Sequence, residues 1–220
     1  LERLIDYFKV IPALYIADGH HRAASAARVQ KIREEANPNH SGYEPYNYFL
    51  SVIFPHDEVQ ILDYNRVVKD LNGLTEEQFH ESINENFDVV SIPYPPSPIP
   101  KNNYSMHING KWYQLEAKTH VKSDDPVEGL EASILQKYLL TPILDIDDPR
   151  TNKRIDFVGG IRGMVELERR CEIDCQVAFA LPPVSIEQLL SVADSGQVMP
   201  PKSTWFEPKL RSGMVVRLLD

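Results

Sequence analysis

Cysteine is scarce: the 220 residues contain two, Cys171 and Cys175, four positions apart and with no histidine at ligand spacing nearby. That pattern makes neither a zinc site nor a disulfide framework. On a helix the two would share a face, which reads as buried thiols. Long apolar runs are missing too. None reaches the roughly 18 residues of a membrane span, and no signal-peptide pattern opens the chain. No membrane partner is therefore expected, and the location expected is cytoplasmic. Positive charge is in deficit, with 23 lysines and arginines against 32 aspartates and glutamates, a formal net charge of −9. Nonspecific nucleic-acid binding needs clustered cations, so a DNA partner is disfavoured. There is no internal repeat. What is there is an ordinary globular composition, 42% hydrophobic and 25% charged, long enough for one large or two small domains with a core.

The chain is organised around residues 13–28, ALYIADGHHRAASAAR. Ala13, Leu14, Tyr15, Ile16 and Ala17 have strand character. Asp18-Gly19-His20-His21-Arg22 follows as a tight turn, and an alanine-rich helix as its continuation. A helix start leaves about four backbone N–H groups without intrahelical partners and carries roughly half a positive charge. Gly19 permits close backbone approach, and Arg22 adds a planar cationic fork suited to phosphate. The turn therefore reads as an anion site, most simply for a phosphate. A purely structural reading stands beside it, with Asp18 as an N-cap, Gly19 as a turn residue and the histidines as surface groups. Two imidazoles, an acid and a guanidinium in one turn favour chemistry. Ala23, Ala24, Ala26 and Ala27 suit either reading, because small side chains pack closely and alanine has the highest helix propensity.

The string YIADGHHRAASAA, with MPPKSTWFEPKL near the other end, resembles the prokaryotic family known as domain of unknown function 1015. The segments PYNYFLSVIF (45–54) and KRIDFVGG (153–160) extend the match. That family is related to free-serine kinases, and its turn is similar to the nucleotide-binding motif of the ParB and sulfiredoxin fold. The resemblance implies a phosphate-holding role for Gly19, His21 and Arg22. It also implies a further N-terminal portion upstream, carrying a catalytic glutamate that no residue here matches, so that these residues form a C-terminal part.

Along the rest of the chain, Leu1, Leu4, Ile5 and Phe8 have helical spacing. The helix from Arg22 is expected to reach about Ala36, where Asn37-Pro38-Asn39 breaks it. Residues 46–54 read as a buried strand. Val59, Ile61 and Tyr64 read as a half-buried one that Asn65-Arg66 closes. The family commonly has an Asn-Arg pair there, and for Arg66 both a surface position and a phosphate contact stay open. Thr75 with Gln78 makes a capping box ahead of a helix bearing Phe79 and Ile83. Residues 87–92 read as a strand. Residues 93–103 carry five prolines and cannot be regular structure. Asn109-Gly110 between residues 104–108 and 111–116 is a two-residue hairpin signal, with His107 and Trp112 as sheet-face packing. A helix is expected from about Pro126 or Val127 through Leu139. The carboxylates of residues 145–148 lack the glycine and glutamate of a calcium loop and read as a solvated loop. Gly159-Gly160 is a second strand-to-helix turn, equally readable as an anion contact or as close packing. Residues 176–181 read as a strand, Ser185 as an N-cap, and residues 214–219 as a final strand.

The fold class expected is α+β, with a mixed, mainly antiparallel sheet, packed helices and a ParB/sulfiredoxin-like phosphate-binding turn. A first lobe spans residues 1–92 and the proline-rich loop 93–103. Residues 104–220 form a second lobe or complete the first. The function expected is a nucleotide-dependent phosphotransferase acting on a small hydroxyl metabolite, free L-serine to O-phosphoserine, with ADP or ATP and Mg²⁺. Asp18, His20 and His21 are its catalytic candidates. Gly19, His21, Arg22, Lys202, Ser203 and Thr204 are its phosphate ligands. Two alternatives stay open: a nucleotide-binding regulatory module without turnover, and a metal-dependent hydrolase using Asp18, His20 and His21. Adjacent histidines make a poor chelating pair, so no metal site is assigned. The sequence does not fix the oligomeric state.

Overall fold

The computed structural model describes residues 2–211 and 213–218. The chain forms two compact units, residues 1–60 with 208–220, and residues 61–207.

The larger unit is built on a six-stranded sheet in the order β3-β5-β4-β7-β2-β6. Its strands are β2 (Tyr64–Val68), β3 (Phe87–Ile92), β4 (Asn103–Ile108), β5 (Lys111–Ala117), β6 (Ile155–Gly159) and β7 (Val177–Ala180). Every neighbouring pair is antiparallel. A second sheet pairs β1 (Gln60–Leu62), which begins at the junction, with β8 (Trp205–Glu207). The α+β class with an antiparallel sheet is thus the observed one.

Alternation along the strands gives the six-stranded sheet two apolar faces. One gathers Val68, Phe87, Tyr104, Met106, Leu115, Val177 and Phe179. It is covered by Phe79 and Ile83 of α3 (Glu76–Ile83) and by Ile134, Leu135, Leu139 and Leu140. Those four lie on a helix that begins as α4 (Glu131–Leu135) and is wound more widely, as a π-helix, over Gln136–Leu140. The other face gathers Val67, Trp112, Val158, Ala178 and Ala180 under Leu167 and Cys171 of α5 (Gly163–Ile173). Burying each large side chain contributes about 1.5–3 kcal/mol.

Local signals fix the element ends. Thr75 and Gln78 form the capping box of α3, and Ser185 and Gln188 that of α6 (Ile186–Asp194). Asn109 and Gly110 take φ of 49° and 72°, the left-handed pair a two-residue hairpin turn requires. The proline-rich loop joins β3 to β4 within this one sheet, and the chain divides instead after Gln60 and after Glu207. The expected half-buried strand becomes two, β1 and β2. Asn65 and Arg66 lie inside β2, both buried, and do not end it.

The smaller unit contains α1 (Glu2–Lys9) and α2 (His20–Glu35). None of its described residues is buried. Three strand expectations fail here. Residues 13–17 and 48–54 are extended but enter no sheet, and residues 45–47 form a 3₁₀ turn. Residues 213–218 are irregular, and Leu219 lies outside the described residues. Apolar content marked these runs, but a strand also needs a partner to take its backbone hydrogen bonds. The far end of α2 is braced by Tyr46, whose hydroxyl meets Asn37 Nδ2 at 3.1 Å and His40 Nδ1 at 2.9 Å. Beside it, Glu44 accepts from the Ser41 amide at 2.7 Å, the Ser41 hydroxyl at 2.8 Å and the Gly42 amide at 2.9 Å.

Two predictions follow from packing and charge. Phe79→Ala should destabilise the protein by about 3–5 kcal/mol in chemical denaturation, whereas Val90→Ala, on an exposed strand position, should change it by less than about 0.5 kcal/mol. Burial pulls the Glu44 carboxyl up, but the Ser41 hydrogen bonds and nearby His40 outweigh it and hold the pKa at about 2. A depressed carboxylate stabilises its loop fully above the ordinary value of 4.5 and loses that support as pH falls through about 2. The Ser41 amide resonance should therefore titrate near pH 2 rather than 4.5, and Glu44→Gln should abolish that transition.

Candidate functional site

In the smaller unit the turn ahead of α2 has the geometry of an anion site. Gly19, at φ 85° and ψ 26°, occupies the N-cap position in the left-handed region. No side chain caps the helix. The first intrahelical bond is donated by the Ala23 amide to the Gly19 carbonyl, at 3.0 Å. The amides of His20, His21 and Arg22 precede it and point out of the helix start, where the dipole of a 16-residue helix concentrates. The Arg22 guanidinium folds back over Gly19: a Cβ there would stand 3.0 Å from Nη2 and 3.1 Å from Nε. Glycine is required twice over, by φ and by this approach.

Asp18 does not cap α2. Its Oδ1 accepts from the Gly19 amide at 2.8 Å, and its Oδ2 lies 3.5 Å from Lys209 Nζ. The carboxylate thus fixes the entry into the turn and ties it to the tail of the same unit. Lys209 was missed by sequence reasoning although it lies within the motif MPPKSTWFEPKL, because nothing in a linear pattern links it to a residue so far upstream. His20 and His21 are exposed and, as neighbours on a helix, point about 100° apart. Among the described residues no three histidine, cysteine, aspartate or glutamate side chains are grouped to hold a metal ion, so the hydrolase alternative has no site to rest on.

The remaining candidates, Lys202, Ser203 and Thr204, belong to the larger unit. There they adjoin Arg66. This arginine is 4% exposed and lies over the Phe157 ring at 5.7 Å. It donates to the Tyr64 carbonyl and, at 3.3 Å, to the Lys202 carbonyl. No carboxylate pairs with it among the described residues, and burial lowers its pKa to about 10 against the opposing pull of Tyr104 and Tyr64. Lys202 has φ 57° and sets its ammonium 3.4 Å from the Tyr64 hydroxyl and 5.4 Å from the ring centre. Two cationic side chains therefore stand around Tyr64. Ser203 is buried, and its one hydroxyl proton is committed to the Pro200 carbonyl at 2.9 Å. It can accept from a ligand but not donate to one. Thr204 is half-buried.

The second glycine turn proves to be close packing. A Cβ on Gly159 would stand 2.5 Å from Trp205 Cε3, and one on Gly160 would overlap the Asp63 carboxylate. The Gly160 amide donates to the Asp63 carbonyl at 2.8 Å, which leaves it no anion to bind. The Trp205 ring in turn meets Tyr64 edge-on at 5.4 Å, so these glycines set the wall behind the Lys202 cluster.

Comparison with known proteins was made against this geometry. A family model described as "Protein of unknown function (DUF1015)" matches residues 1–133. No curated protein matches the chain. Among solved structures, free serine kinase in complex with AMP is 16% identical, with a TM-score of 0.48, over 87% of this chain and 66% of that one. A variant of free serine kinase in complex with ADP is 18% identical, with a TM-score of 0.47 and the same coverage of 87% and 66%. A conserved hypothetical protein from Pyrococcus furiosus is 15% identical, with a TM-score of 0.45, over 89% of this chain and 72% of that one. The chain thus spans 66% of the length of the free serine kinases it resembles.

Gly159→Ala should destabilise the protein by about 1–3 kcal/mol through overpacking. The Trp205 ring should shift with it, read as a moved indole N–H resonance, whereas Gly110→Ala, whose added Cβ meets no atom within 4 Å, should leave that resonance in place.

Proposed function

The chain belongs to the family described as proteins of unknown function, DUF1015, and from that premise we propose that the protein carrying it is a nucleotide-dependent phosphotransferase acting on a small hydroxyl metabolite, with free L-serine as acceptor and O-phosphoserine as product. The observation that carries the reading is the uncapped start of α2, where left-handed Gly19 and the folded Arg22 side chain surround three amides with no intrahelical partner.

Phosphoryl transfer asks chiefly for positioning and charge stabilisation on the moving group. The amides of His20, His21 and Arg22, with the Arg22 guanidinium, hold phosphate oxygens of ADP or ATP. His20 or His21 hydrogen-bonds the transferring group or shuttles the acceptor's proton, as a group that titrates near neutrality can. The serine hydroxyl oxygen attacks the terminal phosphorus, the bond from that phosphorus to the departing nucleotide breaks, and the hydroxyl proton passes to a base. Mg²⁺ binds nucleotide phosphates with few protein ligands, one or two carboxylates sufficing. Asp18 is the carboxylate of the turn and fits only as a peripheral ligand, since it already serves the Gly19 amide and Lys209. For Lys202 we assign phosphate binding within its own unit, with Thr204 as donor and Ser203 as acceptor.

The same engagement of Asp18 favours a second reading, a nucleotide-binding module that switches without turnover, because it leaves the turn no free carboxylate base. A direct assay separates the two. Full-length protein is given ADP or ATP separately, with Mg²⁺ and L-serine, and O-phosphoserine is read by mass. Product that falls at least about a hundredfold in Arg22→Ala and in His21→Ala, on the scale of a lost oxyanion donor or acid-base group, is the expected result. Nucleotide binding that is lost in Arg22→Ala, with no product from the wild type, would leave the regulatory module. Neither binding nor product would end both readings.

A further inference from the structure

A cavity of about 460 Å³ opens in the larger unit between the start of α3, the Asn109-Gly110 turn and the last turn of α5. Its floor is apolar, formed by Leu71, Leu74, Ile108, Cys171 and Cys175. No lysine or arginine lines it, whereas Glu76 and Glu172 do. The two carboxylates differ. Glu76 accepts from Asn109 Nδ2 at 2.6 Å and lies 3.8 Å from His80 Nε2. Glu172 is exposed and makes no hydrogen bond or ion pair among the described residues.

His107 also lines the cavity. It is 5% exposed, stacks on Trp112 at 4.8 Å, and its Nδ1 has no hydrogen-bond partner. A buried imidazole nitrogen left unpaired costs about 1–3 kcal/mol, so it calls for an explanation. Burial lowers the His107 pKa, against the pull of Glu168 and Glu172, so the ring is neutral and able to accept a hydrogen bond at one nitrogen.

The thiols do not change the sign of the cavity. Cys171 donates weakly to the His107 carbonyl at 3.7 Å, and burial pushes its pKa up to about 12. Both cysteines are therefore neutral, polarizable walls rather than nucleophiles. A metal ion is disfavoured, since no three ligating side chains converge among the described residues. An anion is disfavoured by the two carboxylates. What matches an apolar floor, an unpaired carboxylate and a neutral acceptor is a cation with a hydrophobic body.

We propose that this cavity binds a small organic ammonium ion, its N–H groups directed to Glu172 and His107 and its apolar body laid on Leu71, Leu74, Ile108 and the two thiols. The site stands apart from the Gly19 turn and does not depend on the phosphotransferase reading. A 2-phenylethylammonium titration of the full chain, without nucleotide or serine, tests it by ¹H–¹⁵N NMR. The Trp112 indole N–H is the reporter, because its Nε1 donates to Glu168 at 2.8 Å while its ring stacks on His107. The Trp205 indole is the internal control. A saturable shift at Trp112 but not at Trp205 is expected, weakened about fivefold or more in Glu172→Gln, the order of one solvent-exposed ion pair. Phenylacetate and 2-phenylethanol should not saturate over the same range. No saturable shift, equal binding of the alcohol, or unchanged affinity in Glu172→Gln would each overturn the proposal. Glu172 is exposed, so that variant should fold, and its unligated spectrum verifies this directly.

Discussion

Burial of β7 from both sides is the constraint on which the larger unit depends. All four of its residues are buried, Val177 and Phe179 toward one core, Ala178 and Ala180 toward the other. A central strand of this kind must have β2 and β4 as neighbours and a cover on each face. The two faces are not equivalent. Alanines on one let α5 approach closely, while Phe179 and Val177 on the other are filled in by the leucines and isoleucine of residues 134–140. The position of Arg66 follows from the same arrangement. It pairs with Phe179 in the sheet register, and therefore projects on the bulky face at the sheet's edge toward Tyr64 and Lys202. Its charge is kept from solvent by neighbours that offer carbonyls and ring faces in place of a carboxylate.

The smaller unit is organised by different forces. With no buried residue among those described, its order rests on local features: the helix α2, the Asp18–Lys209 ion pair, and the polar knot of His40, Glu44 and Tyr46 at the other end of that helix. Exposed ion pairs contribute little individually, about 0–1 kcal/mol. The turn at Gly19 is consequently shaped by backbone geometry more than by packing, which is what an amide-lined anion site requires.

These two regimes explain what the sequence disclosed. Wherever structure is dictated by neighbours in the chain it could be read directly: the Thr75 and Ser185 capping boxes, the Asn109-Gly110 hairpin, the break after Ala36 and the strand-like runs at 87–92 and 177–180. Residues 13–17 and 48–54 misled because their apolar content is that of strands, yet sheet formation depends on a distant partner that composition does not specify. Arg66 was ambiguous for a related reason, since burial of a charge is decided by which carbonyls fold over it. At the site, Gly19 and Arg22 were legible because one turn contains them both. Lys209 was not, and neither was the committed hydroxyl of Ser203, each being fixed by a contact outside its local pattern. The paired glycines at 159–160 were legible as a feature but not as packing, because Trp205 and Asp63 arrive from elsewhere in the chain.

The wide winding over Gln136–Leu140 has a consequence for how this protein can change over time. Its Thr141 amide bonds back five residues to Gln136, whose side chain in turn donates to Thr141 Oγ1 and the Ile146 carbonyl. Removing one residue there would restore ordinary winding but rotate everything beyond it by about 100°, carrying Leu139 and Leu140 off the sheet they cover. A lineage can lengthen or shorten the proline-rich loop by single steps. In this turn the same mutational event is filtered out, so chain length is inherited as strictly as the apolar side chains themselves.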